Sequence, residues 1–211
     1  MTDEEQRDAD RVDLVKDWGQ GLVEVLVSNE LVDHIPVVKT ISAVFGAVRS
    51  VRDAILIQKL KDFLGALQEV PIGERVAMVQ QIQAEPGYRR RVGEHLVELL
   101  DRVDGHRKPT MIGQVFAAYA QGQIRLTMVQ RLNAAIERLP AHEIDVVRMV
   151  RDTLQTNRLD LQQIDSESIY AMINAGLAYS ESSFGGDGLK VTATGLAFLD
   201  LQLDKDSRQR L

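Results

Sequence analysis

The sequence predicts a mainly α protein: a multi-helix bundle that ends in a small α+β segment with a short two-stranded hairpin. Three observations carry this reading. Apolar residues recur at spacings of three and four along most of the 211 residues, which is the period of a helix face. Aromatic residues make up only 5% of the chain, which suits aliphatic helix packing better than a small all-β fold. After Arg158 the texture changes, and a glycine-rich run, FGGDGLK, interrupts residues of strand type.

The elements follow in order. A first helix is expected from near Asp10, with Val12, Val15, Leu22, Val23, Leu26 and Val27 on one side and Gly19 and Gly21 as weak points. Pro36 sits where a helix has its first turn, and the chain then reads as one long helix to about Leu67. Its apolar seam runs Val37, Ile41, Val44, Val48, Val51 and Ile55, then shifts by one residue to Leu56, Leu60, Phe63 and Leu67. Such a helix would span about 46 Å at 1.5 Å per residue, as a bundle spine or an intermolecular seam. Pro71 opens a helix closed by Pro86-Gly87; Val92 to Val103 form the next, ended by Gly105; Pro109-Thr110 starts another, stopped by Gly122. Thr127 is placed to cap a helix ending near Leu139, and Pro140 begins one through Leu154.

In the last part of the chain, Asp165 or Ser166 caps a short helix ending at Gly176. Leu177–Ser183 and Leu189–Thr194 then read as strands around the turn 184–188, and a closing helix runs from Gly195 to about Leu203. Helix, hairpin and helix in that order resemble the end of a winged-helix domain. The expected division is therefore a helical bundle over 1–155 and a winged-helix-like tail over 156–211, either packed on the bundle or forming a small second domain.

Composition bounds the chemistry. The chain has no cysteine, which excludes disulfides, thiolate metal sites, iron–sulfur clusters and a cysteine nucleophile. Lys and Arg number 25 against 31 Asp and Glu, for a net charge of −6, so no global attraction to phosphate backbones or anionic lipid is expected. The charge is segregated: net −7 over residues 1–34, +3 over 35–108 and −2 over 109–211. An acidic head beside a basic middle suits an electrostatic contact within or between chains. The acidic start of the chain does not resemble a signal peptide, and a cytoplasmic location is expected.

No catalytic constellation stands out. The four histidines are scattered, without metal-ligand spacing. The densest polar cluster is Glu98, Asp101, Asp104 and His106, whose carboxylates fall at i, i+3 and i+6. Pairing with Arg102, Arg107 and Lys108 is the expected use of those acids, rather than metal binding. FGGDGLK lacks the Lys-Ser/Thr of a phosphate loop and precedes a strand rather than a helix. No catalytic, metal or cofactor-binding residue is assigned, and the chain is read as no enzyme. Nucleic-acid contacts, if any, would fall on Arg89, Arg90 and Arg91 at a helix start or on Lys190 in the hairpin. Consecutive helical residues point about 100° apart, and the helix 165–176 carries acids without Lys or Arg, so a protein-binding winged helix is the better reading. The uncharged run TISAVFGAV at 40–48 is too short to span a membrane, which takes about twenty residues. With its flanking cations it could lie on a membrane surface, though close helix packing suits its small residues better.

Three stretches together carry a family resemblance: IPVVKTISAVFGAVRSVRDAILIQKLKDFLGAL at 35–67, ER at 74–75, and LVELLDRVDGHRKPTMIGQVFAAYAQGQI at 96–124. Over roughly residues 35–140 the chain resembles the Abi-alpha (abortive-infection alpha) family of bacterial proteins. The pattern falls on Ile35, Pro36, Arg52, Asp53, Lys59, Leu60, Phe63, Leu64, Asp101, Arg102 and Lys108. The resemblance implies a bacterial protein associated with phage defence and supplies no catalytic residue. It also implies that Arg52, Asp53, Asp101 and Arg102 form one polar network in the helical body, read as specifying the fold rather than as an active site. The functional expectation is a non-enzymatic protein-interaction or effector module that works with a protein partner or as a homo-oligomer. The alternatives are a winged-helix DNA-binding regulator and a membrane-acting effector.

Overall fold

The computed structural model describes residues 3–28, 50–86, 91–155, 164–183 and 186–203. The chain is mainly helical with a C-terminal two-stranded antiparallel hairpin, as its periodicity predicts. It divides into two compact units, Met1–Gln123 and Ile124–Leu211. That boundary lies some thirty residues before the expected one at 155/156, because the last helix of the chain packs on the two helices spanning 126–155.

The first unit holds helices α1 (Asp3–Leu26), α2 (Val51–Gly65), α3 (Ile72–Ala84), α4 (Val92–Arg102) and α5 (Arg107–Ala120). Helix α1 begins seven residues before the expected start at Asp10. It buries Trp18, Leu22, Val25 and Leu26, one stripe at helical spacing, and packs chiefly on α4. Gly19 is the crossing point of that pair rather than a weak point. A Cβ on Gly93 would sit 1.8 Å from the Gly19 carbonyl oxygen, and one on Gly19 would sit 2.6 Å from the Glu94 nitrogen. Two glycines facing each other let the backbones approach closer than any other pair would allow.

The expected single helix over 36–67 is corrected at Ser50. Its backbone is extended (φ −146°, ψ 161°), and its hydroxyl accepts the Asp53 N–H at 3.1 Å. A fresh helix therefore starts at Val51, with Ser50 as N-cap; residues 36–49 lie outside those described. The seam divides as its one-residue shift suggests. Val51 and Ile55 are 79% and 52% exposed, whereas Leu56, Leu60, Phe63 and Leu67 are buried. This face packs on α5, where a Cβ on Gly113 would meet the Phe63 carbonyl oxygen at 2.4 Å. The Phe63 and Phe116 rings meet edge to face, 5.8 Å apart at 76°, a favoured aromatic geometry. Gly122 takes positive φ, 71°, and ends its helix as expected, whereas α4 stops at an extended Val103, and Gly105 (φ 68°) lies in the turn that follows. Helix α5 starts two residues before Pro109, which fits its first turn.

The second unit holds α6 (Leu126–Arg138), a 3-10 turn at Ala141–Glu143, α7 (Ile144–Gln155), α8 (Ser166–Asn174), strands β1 (Ala178–Ser183) and β2 (Gly186–Val191), and α9 (Ala193–Asp200). Thr127 does not cap α6; it lies inside the first turn, and Arg125 occupies the cap position. Asp165 does cap α8, its side chain accepting the Ser168 N–H at 2.9 Å. Gly176 ends that helix region at φ 75°. The strands pair in register from Ala178↔Val191 to Ser183↔Gly186. Gly186, Asp187 and Gly188 thus belong to β2, and the connection is shorter than the expected five-residue turn. Thr192 joins this layer to α9: its hydroxyl donates to the Gly176 carbonyl at 2.7 Å and accepts the Gly195 N–H at 3.0 Å. Gly195 lies against the Leu177 carbonyl oxygen, 2.1 Å from where its Cβ would be.

Candidate functional site

In the first unit, polar side chains gather where α2 meets the end of α4 and the start of α5. Arg52, in the first turn of α2, grips Asp101 near the end of α4 through Nη2 to Oδ2, and Nε donates to Oδ1 at 3.3 Å. This is a bidentate fork matching guanidinium to carboxylate. Hydrogen bonding to Asp101 raises the Arg52 pKa further. One helical turn along α2 from Ile55, the buried Lys59 donates from Nζ to the Asp101 carbonyl oxygen at 3.0 Å. An ammonium there satisfies a carbonyl that the helix end leaves open and sits at the negative end of the α4 dipole. Burial pushes the Lys59 pKa down, against the pull of the Asp101 and Asp104 carboxylates. Lys108, fully buried, pairs with Asp104 across the start of α5. His106 Nδ1 lies 3.9 Å from Asp62 Oδ2, while Gln58 donates to Asp62 Oδ1 at 2.9 Å.

Of the four residues expected to form one network, the structure brings Arg52 and Asp101 into contact. Asp53 adds its charge beside Arg52, and its backbone N–H is spent on the Ser50 cap. Arg102 lies exposed in the last turn of α4. The stripe Glu98, Asp101, Asp104 and His106 diverges: Glu98 faces His95 at 3.9 Å, Asp101 faces Arg52, Asp104 faces Lys108 and His106 faces Asp62. Among the described residues no group of three His, Asp or Glu side chains is placed to hold a metal ion. The chemistry of this cluster is that of helix-end fastening.

Two further polar centres lie outside the four-residue network that the resemblance implies. Arg75 is fully buried in α3, and its guanidinium donates to three carbonyls: Leu26 at 2.7 Å, Ser28 at 3.0 Å and Val70 at 3.1 Å. It closes the C-terminal end of α1 with a cation, where the helix dipole favours one. A lone arginine in a helix gives no sign in the sequence that it points inward. In the second unit, the buried Ser168 Oγ lies 2.7 Å from Glu143 Oε2 and 2.8 Å from Asp165 Oδ2. His142 Nε2 stands 3.5 Å from Glu143 Oε1, on the far side of that carboxylate. Buried against two carboxylates, Ser168 ties the 3-10 turn to α8.

Of the expected nucleic-acid contacts, Arg91 and Lys190 fall among the described residues. Arg89 and Arg90 lie outside the described residues. Arg91 is exposed and occupies the cap position of α4 without a side-chain cap bond. Lys190 on β2 is paired with Glu181 on β1, whose carboxylate raises its pKa by hydrogen bonding. No described helix is long and apolar enough to cross a membrane, and the run 40–48 lies outside the described residues. What the fold defines is a pair of helical units, one fastened by buried cations at helix ends and one carrying a hairpin. Compared with family models, curated proteins and solved structures, the chain matches none.

Proposed function

We propose that the chain is a non-enzymatic bacterial interaction or effector module that acts in phage defence, in the cytoplasm, through a protein partner or a second copy of itself. The defence setting rests on the resemblance of residues 35–140 to the Abi-alpha family. The choice of protein over nucleic acid rests on one observation: α8, in the place of a winged helix's reading helix, carries no Lys or Arg, and Lys190 beside it on the hairpin is held by Glu181. A duplex reader needs cations facing phosphate. The polar cluster around Asp101 fits this reading, since its cations hold helix ends.

The test is a phage challenge of bacteria expressing the chain alone, run beside uninfected growth. Protection with death of the infected cells is the expected result. Unprotected lysis at wild-type phage yield would remove the self-contained effector reading. Duplex binding that weakens steeply with salt and is lost in Lys190→Glu would favour the DNA-binding regulator instead.

A further inference from the structure

Helix α8 presents an outward stripe whose chemistry is specific. Ser166, Tyr170 and Asn174 recur at i, i+4 and i+8, with Glu167 three residues before the tyrosine, and all four are exposed. Residues three and four apart are neighbours on a helix surface. Tyr170, 65% exposed, therefore has a carboxylate one turn before it and a carboxamide one turn after it. The opposite side of the same helix is buried through Ser168 and Met172, which holds the stripe outward. The Ser168 bonds to Glu143 and the Asp165 cap fix its orientation.

We propose that this face of α8 docks an arginine-bearing segment of a protein partner. A guanidinium stacks on the face of an aromatic ring while its edge donates two parallel hydrogen bonds to a carboxylate. Tyr170 and Glu167 supply those two elements at neighbouring positions, and the Asn174 carbonyl adds an acceptor beyond the ring. Charge selects the same partner. Asp165 and Glu167 make the start of α8 acidic, the helix carries no competing cation, and Lys190 on the neighbouring hairpin is already neutralised by Glu181. Lysine fits less well, because its ammonium lacks the planar fork.

The experiment uses the full chain and a fluorescein-labelled peptide of alternating arginine and glycine, followed by fluorescence anisotropy at low salt. The matching lysine–glycine peptide and a labelled DNA duplex serve as the other arms. The arginine peptide is expected to bind more tightly than either. Tyr170→Ala should weaken it about tenfold, the scale of a desolvated ring–cation contact, whereas Tyr170→Phe, which keeps the ring, should retain it. Glu167→Gln should weaken it and lose the preference for arginine over lysine. Glu24→Gln, an exposed acid of the first unit, should change nothing. Equal binding by wild type and Tyr170→Ala, equal binding of the lysine peptide, or preferential binding of the duplex would each overturn the proposal. The inference rests on the interaction-module reading only in requiring a protein partner. Phage protection with no Tyr170 dependence sinks this site alone, while Tyr170-dependent peptide binding without protection sinks the self-contained effector reading alone.

Discussion

Gly19 and Gly93 meet backbone to backbone where α1 crosses α4, so closely that a Cβ on Gly93 would fall 1.8 Å from the Gly19 carbonyl oxygen. The obstruction is main chain, which no side-chain rotation relieves. Gly93→Ala should therefore force α1 off α4 and cost about 3 kcal/mol or more, read as a fall in the urea midpoint. Gly65→Ala, at a glycine with no atom within 4 Å of the added carbon, should stay within about 1 kcal/mol of wild type or exceed it. Equal midpoints for the two variants would refute the close crossing.

Arg75 gives a second test on the same helix. Arg75→Ala removes the donors to Leu26, Ser28 and Val70 and leaves buried carbonyls unpaired. Each such carbonyl costs about 1–3 kcal/mol, so amide exchange across Val25–Ser28 should speed up well before global unfolding. Unchanged exchange at the end of α1 would show that the guanidinium is not what holds it.

The Arg52–Asp101 pair should contribute little despite its bidentate form. The Arg52 side chain is 62% exposed, and exposed pairs are worth at most about 1 kcal/mol. A double-mutant cycle with Arg52→Ala and Asp101→Asn should give a coupling below about 1 kcal/mol. Lys59→Ala should cost more than either, about 2 kcal/mol, because it removes the donor to the part-buried Asp101 carbonyl. A coupling above the Lys59 effect would reverse this ranking.

Asp165 provides a pH test. Its carboxyl is held below its ordinary value of 3.8, chiefly by the Ser168 N–H. A depressed carboxyl stabilises the fold above its unfolded pKa, and that contribution is lost as pH falls through the folded value. Asp165→Asn keeps a capping oxygen that does not titrate. Thermal melts followed by circular dichroism should show a shallower loss of stability on the acid side for the variant than for wild type. Parallel acid limbs would exclude the cap as a source of the pH dependence.

Local signals in the sequence account for much of the fold. Pro71 and Asp165 mark helix starts, Gly122 and Gly176 mark helix ends, and the structure places each there; Gly105 falls two residues past the cap of α4, in the turn to α5. Ser50 was equally readable in principle, since Ser-Val-Arg-Asp places an acid at the third helical residue as capping boxes do. The continuous apolar periodicity of 37–67 hid it. Periodicity reports which face is apolar, not whether the backbone between two turns stays helical. Gly19 was misread for a different reason: helix propensity weighs a glycine as a loss, whereas its value lies in a partner seventy-four positions away. The same holds for the site. Of the four residues expected in one network, Arg52 and Asp101 meet, but the inward course of Lys59, Lys108 and Arg75 depends on tertiary neighbours that no local pattern encodes. The α8 stripe was visible only as a helix without cations; its outward direction is set by the burial of Ser168 and Met172.

The pairing of α1 with α4 also has a consequence for synthesis. The apolar stripe of α1 is complete once Leu26 has been added, yet its partner is complete only at Arg102. At about 5–20 residues per second, that delay is roughly 4–15 s. Throughout it, Trp18, Leu22 and Leu26 have no α4 to cover them on the ribosome. The acidic residues that crowd the start of this helix give the uncovered segment a net negative charge, which opposes its association with copies of itself.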